Sequence, residues 1–146
     1  MINTDEEKQK LYAMNGVNEL GKGLSDYGLS KTQSYMDLWS GKQALKLGQR
    51  KAANTLAQGK SLISQNMMNA SASGIDPNTG SAAEINKELT KRVERDSQEQ
   101  LLQGKYENID AKFKATQARI AGQSKLAGSL MSAGSSFMSA YNMGNQ

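Results

Sequence analysis

Pro77 is the only proline in a chain of 146 residues. It sits in the one stretch where turn-forming residues crowd together, Ser71-Ala72-Ser73-Gly74-Ile75-Asp76-Pro77-Asn78-Thr79-Gly80. Gly74 suits the position just past a helix, where the left-handed conformation is wanted. Asp-Pro-Asn-Thr-Gly is turn chemistry throughout, because proline fixes φ and the Asp and Asn side chains bond nearby backbone. Ser81-Ala82-Ala83-Glu84 then has capping-box spacing, which predicts the start of a second helix. One strong break near the middle, with good helix formers on both sides, leaves few folds open. The chain reads as all-α: an elongated antiparallel helical hairpin whose turn and caps are Gly74, Asp76, Pro77, Gly80, Ser81 and Glu84.

Composition decides what such a hairpin can bury. Hydrophobic residues make up 37% and aromatics 5%, and mean hydropathy is −0.65. A compact core needs more large apolar side chains than this. The charges are modest in number and mixed in sign, so the chain does not read as disordered. Long helices with narrow apolar seams fit both facts, and such helices usually need partner subunits to bury their seams against, so an oligomeric bundle is expected. There is no cysteine and no histidine, which removes disulfides, thiolate nucleophiles, Cys/His zinc sites and the usual general base. Glu94, Asp96 and Glu99 lie on one helix with nothing apolar to perturb them, so they read as a solvated face. No enzyme activity, cofactor or metal is expected. Net charge is +4 with a pI near 9.3, compatible with nucleic acid or anionic lipid nearby but no signature of either. The acidic start Met1–Glu7 is unlike a signal peptide, and no continuous apolar run has transmembrane quality.

The first arm, residues 1–70, opens on a capping box at Thr4–Glu7. Leu11, Met14, Val17, Gly21, Leu24 and Gly28 then recur at steps of three and four, one stripe of a helix. The glycines of residues 11–28 weaken it by about 1 kcal/mol each relative to alanine, and close contact with another backbone is the natural compensation. From Leu38 the pattern becomes a heptad of small residues. Leu38, Leu45, Ala52 and Gly59 form one line, and Gly41, Gly48, Thr55 and Leu62 the other. This a/d seam lets two helices approach closely, within one chain or between subunits.

The second long helix, residues 81–125, carries a sparse stripe of Ile85, Leu89, Val93, Leu101, Leu102, Tyr106, Ile109, Phe113 and Ile120, expected as its packed face. Antiparallel pairing about the turn brings Lys46 near Lys105, Leu38 near Phe113 and Tyr27 near Lys125. Residues 38–75 are basic (Lys42, Lys46, Arg50, Lys51, Lys60), while residues 76–110 are net acidic. Opposed signs favour this arrangement by a few tenths of a kcal/mol per exposed pair, or the two faces are simply solvated.

Residues 126–146 carry no charge. Leu126, Leu130, Ala133, Phe137 and Tyr141 share one face with Ser, Gly and Asn opposite, and Gly128 and Gly134 keep the helix slim. The segment is long enough to cross hydrocarbon yet too polar to face lipid alone, so it reads as a membrane or assembly tip, or as a low-complexity end. Lys112, Lys114, Arg119 and Lys125 precede it with no acid after Asp110, suited to a channel mouth or to anionic lipid head groups.

Ala70-Ser71-Ala72-Ser73-Gly74-Ile75-Asp76, then Gly80-Ser81-Ala82, a long polar helix and a Gly/Ser/Ala/Met tail resemble the small internal virion (ejection) proteins of short-tailed phages, over roughly residues 45–144. The resemblance implies a protein carried in the virion interior, at the head or the portal and tail, that leaves with or before the DNA. It implies an oligomeric ring or channel bundle that crosses the host envelope, for the smallest members at the outer membrane. The implied partners are further copies of itself, other ejection proteins, tail or portal components, the outer membrane and, transiently and non-specifically, phage DNA. The N-terminus departs from the family pattern, being charged over residues 1–10. Two rival readings stand beside it: a non-membrane adaptor or connector of the phage particle, and a secreted helical-hairpin protein of the Trp-x-Gly type, suggested by Trp39-Ser40-Gly41.

Overall fold

The computed structural model describes residues 4–144. Two long helices, α1 (Thr4–Ala72) and α2 (Gly80–Gly144), pack against each other as a hairpin. No strand occurs among the described residues. The Thr4 side chain of the expected N-terminal capping box, and the last two residues of the tail, lie outside them.

The turn is built by backbone bonding that the local sequence makes possible. Gly74 sits at φ +74°, the left-handed conformation that costs a residue with a Cβ about 1 kcal/mol or more. That turn of the backbone lets the Ile75 N–H donate to Ala70 O at 2.9 Å and the Gly74 N–H donate to Ser71 O at 3.0 Å. Together they form a Schellman motif that satisfies the last carbonyls of α1. Asp76 Oδ1 accepts from the Asn78 N–H at 2.9 Å, and Asn86 Nδ2 on α2 donates to Pro77 O at 3.3 Å, tying the turn to the second helix. The start of α2 differs from the sequence expectation. Gly80, at φ +56°, is already its first residue, and the Ala83 N–H donates to Thr79 O at 3.4 Å. Ser81 therefore lies inside the helix rather than ahead of it, and both Ser81 and Glu84 are exposed. The left-handed glycine swings the chain into the helix one residue early.

The chain divides into two compact units. The unit of residues Trp39–Ala111 holds the turn and a seam whose fully buried residues are all small. Gly41, Gly48, Ala52 and Gly59 of α1 are buried, as are Ser97, Gly104 and Ala111 of α2. A Cβ on Gly41 would meet the Ala111 Cβ at 2.6 Å, and one on Gly59 would run into the Val93 side chain. At the centre two glycines face each other: a Cβ on Gly48 would stand 2.9 Å from both Gly104 Cα and Gln100 O, and one on Gly104 would stand 2.9 Å from Ala44 O. Each step of seven from Gly41 to Gly48 is matched by a step of seven back from Ala111 to Gly104, which is the antiparallel register. Ser97, 6% exposed, donates its hydroxyl across the seam to Ala52 O at 3.1 Å.

The other unit combines Met1–Leu38 with Lys112–Gln146. Its buried positions are again small: Gly16, Gly23 and Ser34 on α1, with Ala115, Gly122, Ala133 and Ala140 on α2. Gly122 packs on Ser30 and Tyr27, and Gly16 packs on the Phe137 ring, 3.1 Å from where a Cβ would stand. Lys125 Nζ lies 3.4 Å from Asp26 Oδ2 across the two helices.

Two expectations are corrected here. The large residues read as the packed stripe of α2 are mostly outside: Ile85, Leu102, Tyr106, Ile109, Phe113 and Ile120 are exposed, and only Leu89, Val93 and Leu101 are half-buried. The small-residue heptad on α1 is also narrower than expected. Leu38, Leu45 and Thr55 are half-buried at its margin and Leu62 is exposed. The reason is common to both. Backbones this close leave no room between them for a leucine-sized side chain, so the glycine, alanine and serine face wins the interface. Trp39-Ser40-Gly41 lies in mid-helix with its indole exposed, not in a turn.

Candidate functional site

The consequence of a small-residue seam is an apolar exterior. Positions two residues ahead of a seam residue lie about 160° around a helix from it, on the outward side. On α2 those positions are repeatedly large and apolar. In the turn-bearing unit, Leu102 precedes Gly104 and Ile109 precedes Ala111, with Tyr106 two residues beyond Gly104 on the same outer face. In the other unit, Phe113 precedes Ala115, Ile120 precedes Gly122, Met131 precedes Ala133 and Met138 precedes Ala140. All are exposed, Phe113 by 61%, Tyr106 by 67% and Met131 by 79%. The outer face of α1 is mixed: exposed Met14 precedes Gly16 and Trp39 precedes Gly41, but Lys46 precedes Gly48 and Arg50 precedes Ala52. Exposed large apolar residues thus occur on both helices, Leu11, Val17, Leu24, Leu29 and Leu47 among those of α1, and on α2 they recur two residues ahead of the seam.

The uncharged tail does not keep the single apolar face read from its sequence. Ala133 is 1% and Ala140 7% exposed, packed toward α1, and Leu126 is half-buried beside them. Phe137 leans on Gly16, whereas Leu130 and Tyr141 are exposed. Gly128 and Gly134 have nothing within 4 Å of where a Cβ would stand, so neither is held by a close approach. Residues 11–28 and the tail do meet, through Gly16 and Phe137 and through Gly23 and Ser129. The basic residues Lys112, Lys114, Arg119 and Lys125 are all exposed, and Lys125 is engaged with Asp26. The basic residues of 38–75 and the acids of 76–110 are exposed as well, so their mutual attraction is a minor term.

Sequence reasoning missed the α2 half of the seam: Ser97, Gly104, Ala111, Ala115 and Gly122. The signal was present, since Ser97, Gly104 and Ala111 are spaced by seven and each of the last four follows a large apolar residue by two. No helix among the described residues is long and apolar enough to cross a membrane, and no three acidic side chains among them gather where a metal ion could sit. Compared with protein-family models, characterised proteins and solved structures, the chain matches none.

Proposed function

We propose that this chain is a self-associating assembly protein that acts as a virion ejection protein, its oligomer forming the channel that delivers a phage genome across the host envelope. The observation that carries the assembly reading is the inversion of side-chain size: glycine, alanine and serine inside, Leu102, Tyr106, Ile109, Phe113, Ile120 and Met131 outside. Burying a large apolar side chain is worth about 1.5–3 kcal/mol. A handful of them offsets an association cost of roughly 4–15 kcal/mol. A second copy of the chain, or a neighbouring virion protein, supplies the missing cover. The virion setting rests on the resemblance at Ser73-Gly74-Ile75 and Gly80-Ser81-Ala82. In that setting the protein resides in the virion interior, meets the other ejection proteins and the tail or portal, and passes to the outer membrane, where several copies together present apolar faces to lipid. It carries out no chemistry of its own.

Sedimentation velocity over a range of concentrations tests the assembly reading. A monomer throughout would sink it. Leakage from vesicles, with the full chain and with residues 126–146 removed, tests the channel. Leakage that is absent, or indifferent to the truncation, removes the tail from that role.

One observation favours a second reading, a non-membrane adaptor of the particle. Ala133 and Ala140 pack on the chain's own α1, so much of the tail is already occupied by protein. An adaptor binds portal or tail components and leaves lipid untouched, which a paired co-sedimentation assay separates from the channel.

A further inference from the structure

In the unit formed by Met1–Leu38 and Lys112–Gln146, α1 and α2 leave between them a cleft of about 240 Å³. Tyr27, Lys31 and Tyr35 stand four residues apart on α1, so two aromatic rings bracket a cation along one helix face. Arg119 and Gln123, also four apart, face them from α2, and buried Ser34 lines the wall between the helices. The carboxylates nearest in sequence on α1 are engaged elsewhere: Asp26 pairs with Lys125 at 3.4 Å and Asp37 accepts from Gln33 Nε2 at 2.9 Å. Among the described residues neither Lys31 nor Arg119 has an acidic partner.

From this arrangement we infer that the cleft seats a nucleotide of a single-stranded nucleic acid. Arg119 and Lys31 take the phosphodiester from opposite sides, the guanidinium through paired N–H donors and the ammonium as a point charge. Tyr27 and Tyr35 offer ring faces on which a base stacks without regard to its identity, and Gln123 and Ser34 supply hydrogen bonds to sugar or phosphate. Duplex DNA keeps its bases stacked on one another and cannot use the tyrosines, so the cleft prefers single strands. The inference rests on the cleft alone and is independent of self-association and of the channel.

Fluorescence anisotropy of a labelled oligothymidylate, titrated with the full chain at moderate salt, is the test. Arg119→Gln and Tyr35→Leu are each expected to weaken binding roughly tenfold. Lys112→Gln removes the same charge from the same helix outside the cleft and is expected to weaken it less than about threefold. Far-UV circular dichroism verifies that each variant stays helical. A variant that loses helicity is replaced by Arg119→Lys, which keeps the charge but loses the paired donors and is expected to bind several-fold less tightly. Equal losses for Arg119→Gln and Lys112→Gln would show diffuse electrostatic attraction and overturn the inference. So would undiminished binding by Tyr35→Leu, or equal affinity for a duplex of the same length. Vesicles of anionic phospholipid provide the last arm: if they compete the oligonucleotide off and their own binding falls with Arg119→Gln but not with Tyr35→Leu, the cleft is a head-group site and the inference fails.

Discussion

Gly48 and Gly104 give the seam its sharpest test. A Cβ added at Gly48 would stand 2.9 Å from Gly104 Cα and from Gln100 O, both backbone atoms with no rotamer to yield. Ordinary carbon contacts lie near 3.5–4.0 Å, so the two helices would have to part locally by roughly half an ångström or more. Overpacking of this kind costs about 1–3 kcal/mol, and the better helix propensity of alanine returns only about 0.5–1 kcal/mol. Gly48→Ala should therefore be net destabilising, by up to about 2.5 kcal/mol. Gly28 and Gly128 are the controls. Nothing lies within 4 Å of their added Cβ, so alanine there keeps the propensity gain and stabilises by about 0.5–1 kcal/mol. At roughly 3 °C per kcal/mol, thermal unfolding followed by circular dichroism should move down at Gly48→Ala and up at the controls. Scans at low, matched protein concentration keep association from masking the difference. If Gly48→Ala raises the midpoint as Gly128→Ala does, the backbones are not in contact and the seam argument is wrong.

The same seam supports three further expectations. Gly59→Ala drives a methyl into the Val93 side chain, so it should destabilise alone and be relieved by about 1 kcal/mol or more when combined with Val93→Ala, a coupling that a double-mutant cycle in urea measures. Ser97→Ala removes the hydroxyl bond to Ala52 O and should cost about 0.5–1.5 kcal/mol in the same denaturation assay, with the buried methyl keeping the packing intact. Gly74→Ala must hold a side chain at φ +74° and should cost about 1–2 kcal/mol, whereas alanine at the neighbouring exposed Ser73 loses only the hydroxyl bond to Asn69 O.

The hairpin was legible because its break is unambiguous: Pro77 stands alone, Gly74 precedes it, and the flanking sequences favour helix. Once one short turn joins two long helices, the register follows, and Lys125, expected beside Tyr27, bonds to the adjacent Asp26. The packed face of α2 was not legible by hydrophobicity. Ranking side chains by transfer energy puts Tyr106, Ile109 and Phe113 inside, yet these are exposed, while Gly104 and Ala111 take the interface. Transfer energy misleads where the gain comes from bringing two backbones together. Small residues repeating by seven on both arms are the better guide. Ser81 misled for a local reason, since Gly80 can open a helix by itself through positive φ. The cleft was unreadable in one dimension, because Arg119 and Lys31 come from opposite arms and no spacing joins them.

A seam of glycine, alanine and serine buries few methylenes, so the hairpin's cohesion comes from close dispersion contacts and from bonds such as Ser97 to Ala52. The larger hydrophobic gain, at about 25 cal/mol per Å² of apolar surface, is still unspent on the outer face of α2 in residues such as Ile109 and Phe113. Under the assembly reading, folding and association are then linked: whatever covers those residues binds the folded hairpin and not the open chain. The thermal midpoint should rise with protein concentration, because an oligomer dissociates as it unfolds while a monomer does not. Replacing Phe113 and Ile120 together by glutamine should flatten that dependence and leave the low-concentration midpoint nearly unchanged, since neither side chain supports the seam. Calorimetry over a hundredfold range of concentration, about 2.7 kcal/mol of mass action for each association step, resolves the two cases. A midpoint independent of concentration in the parent chain would mean that the exposed apolar face of α2 is not where this protein meets a second copy.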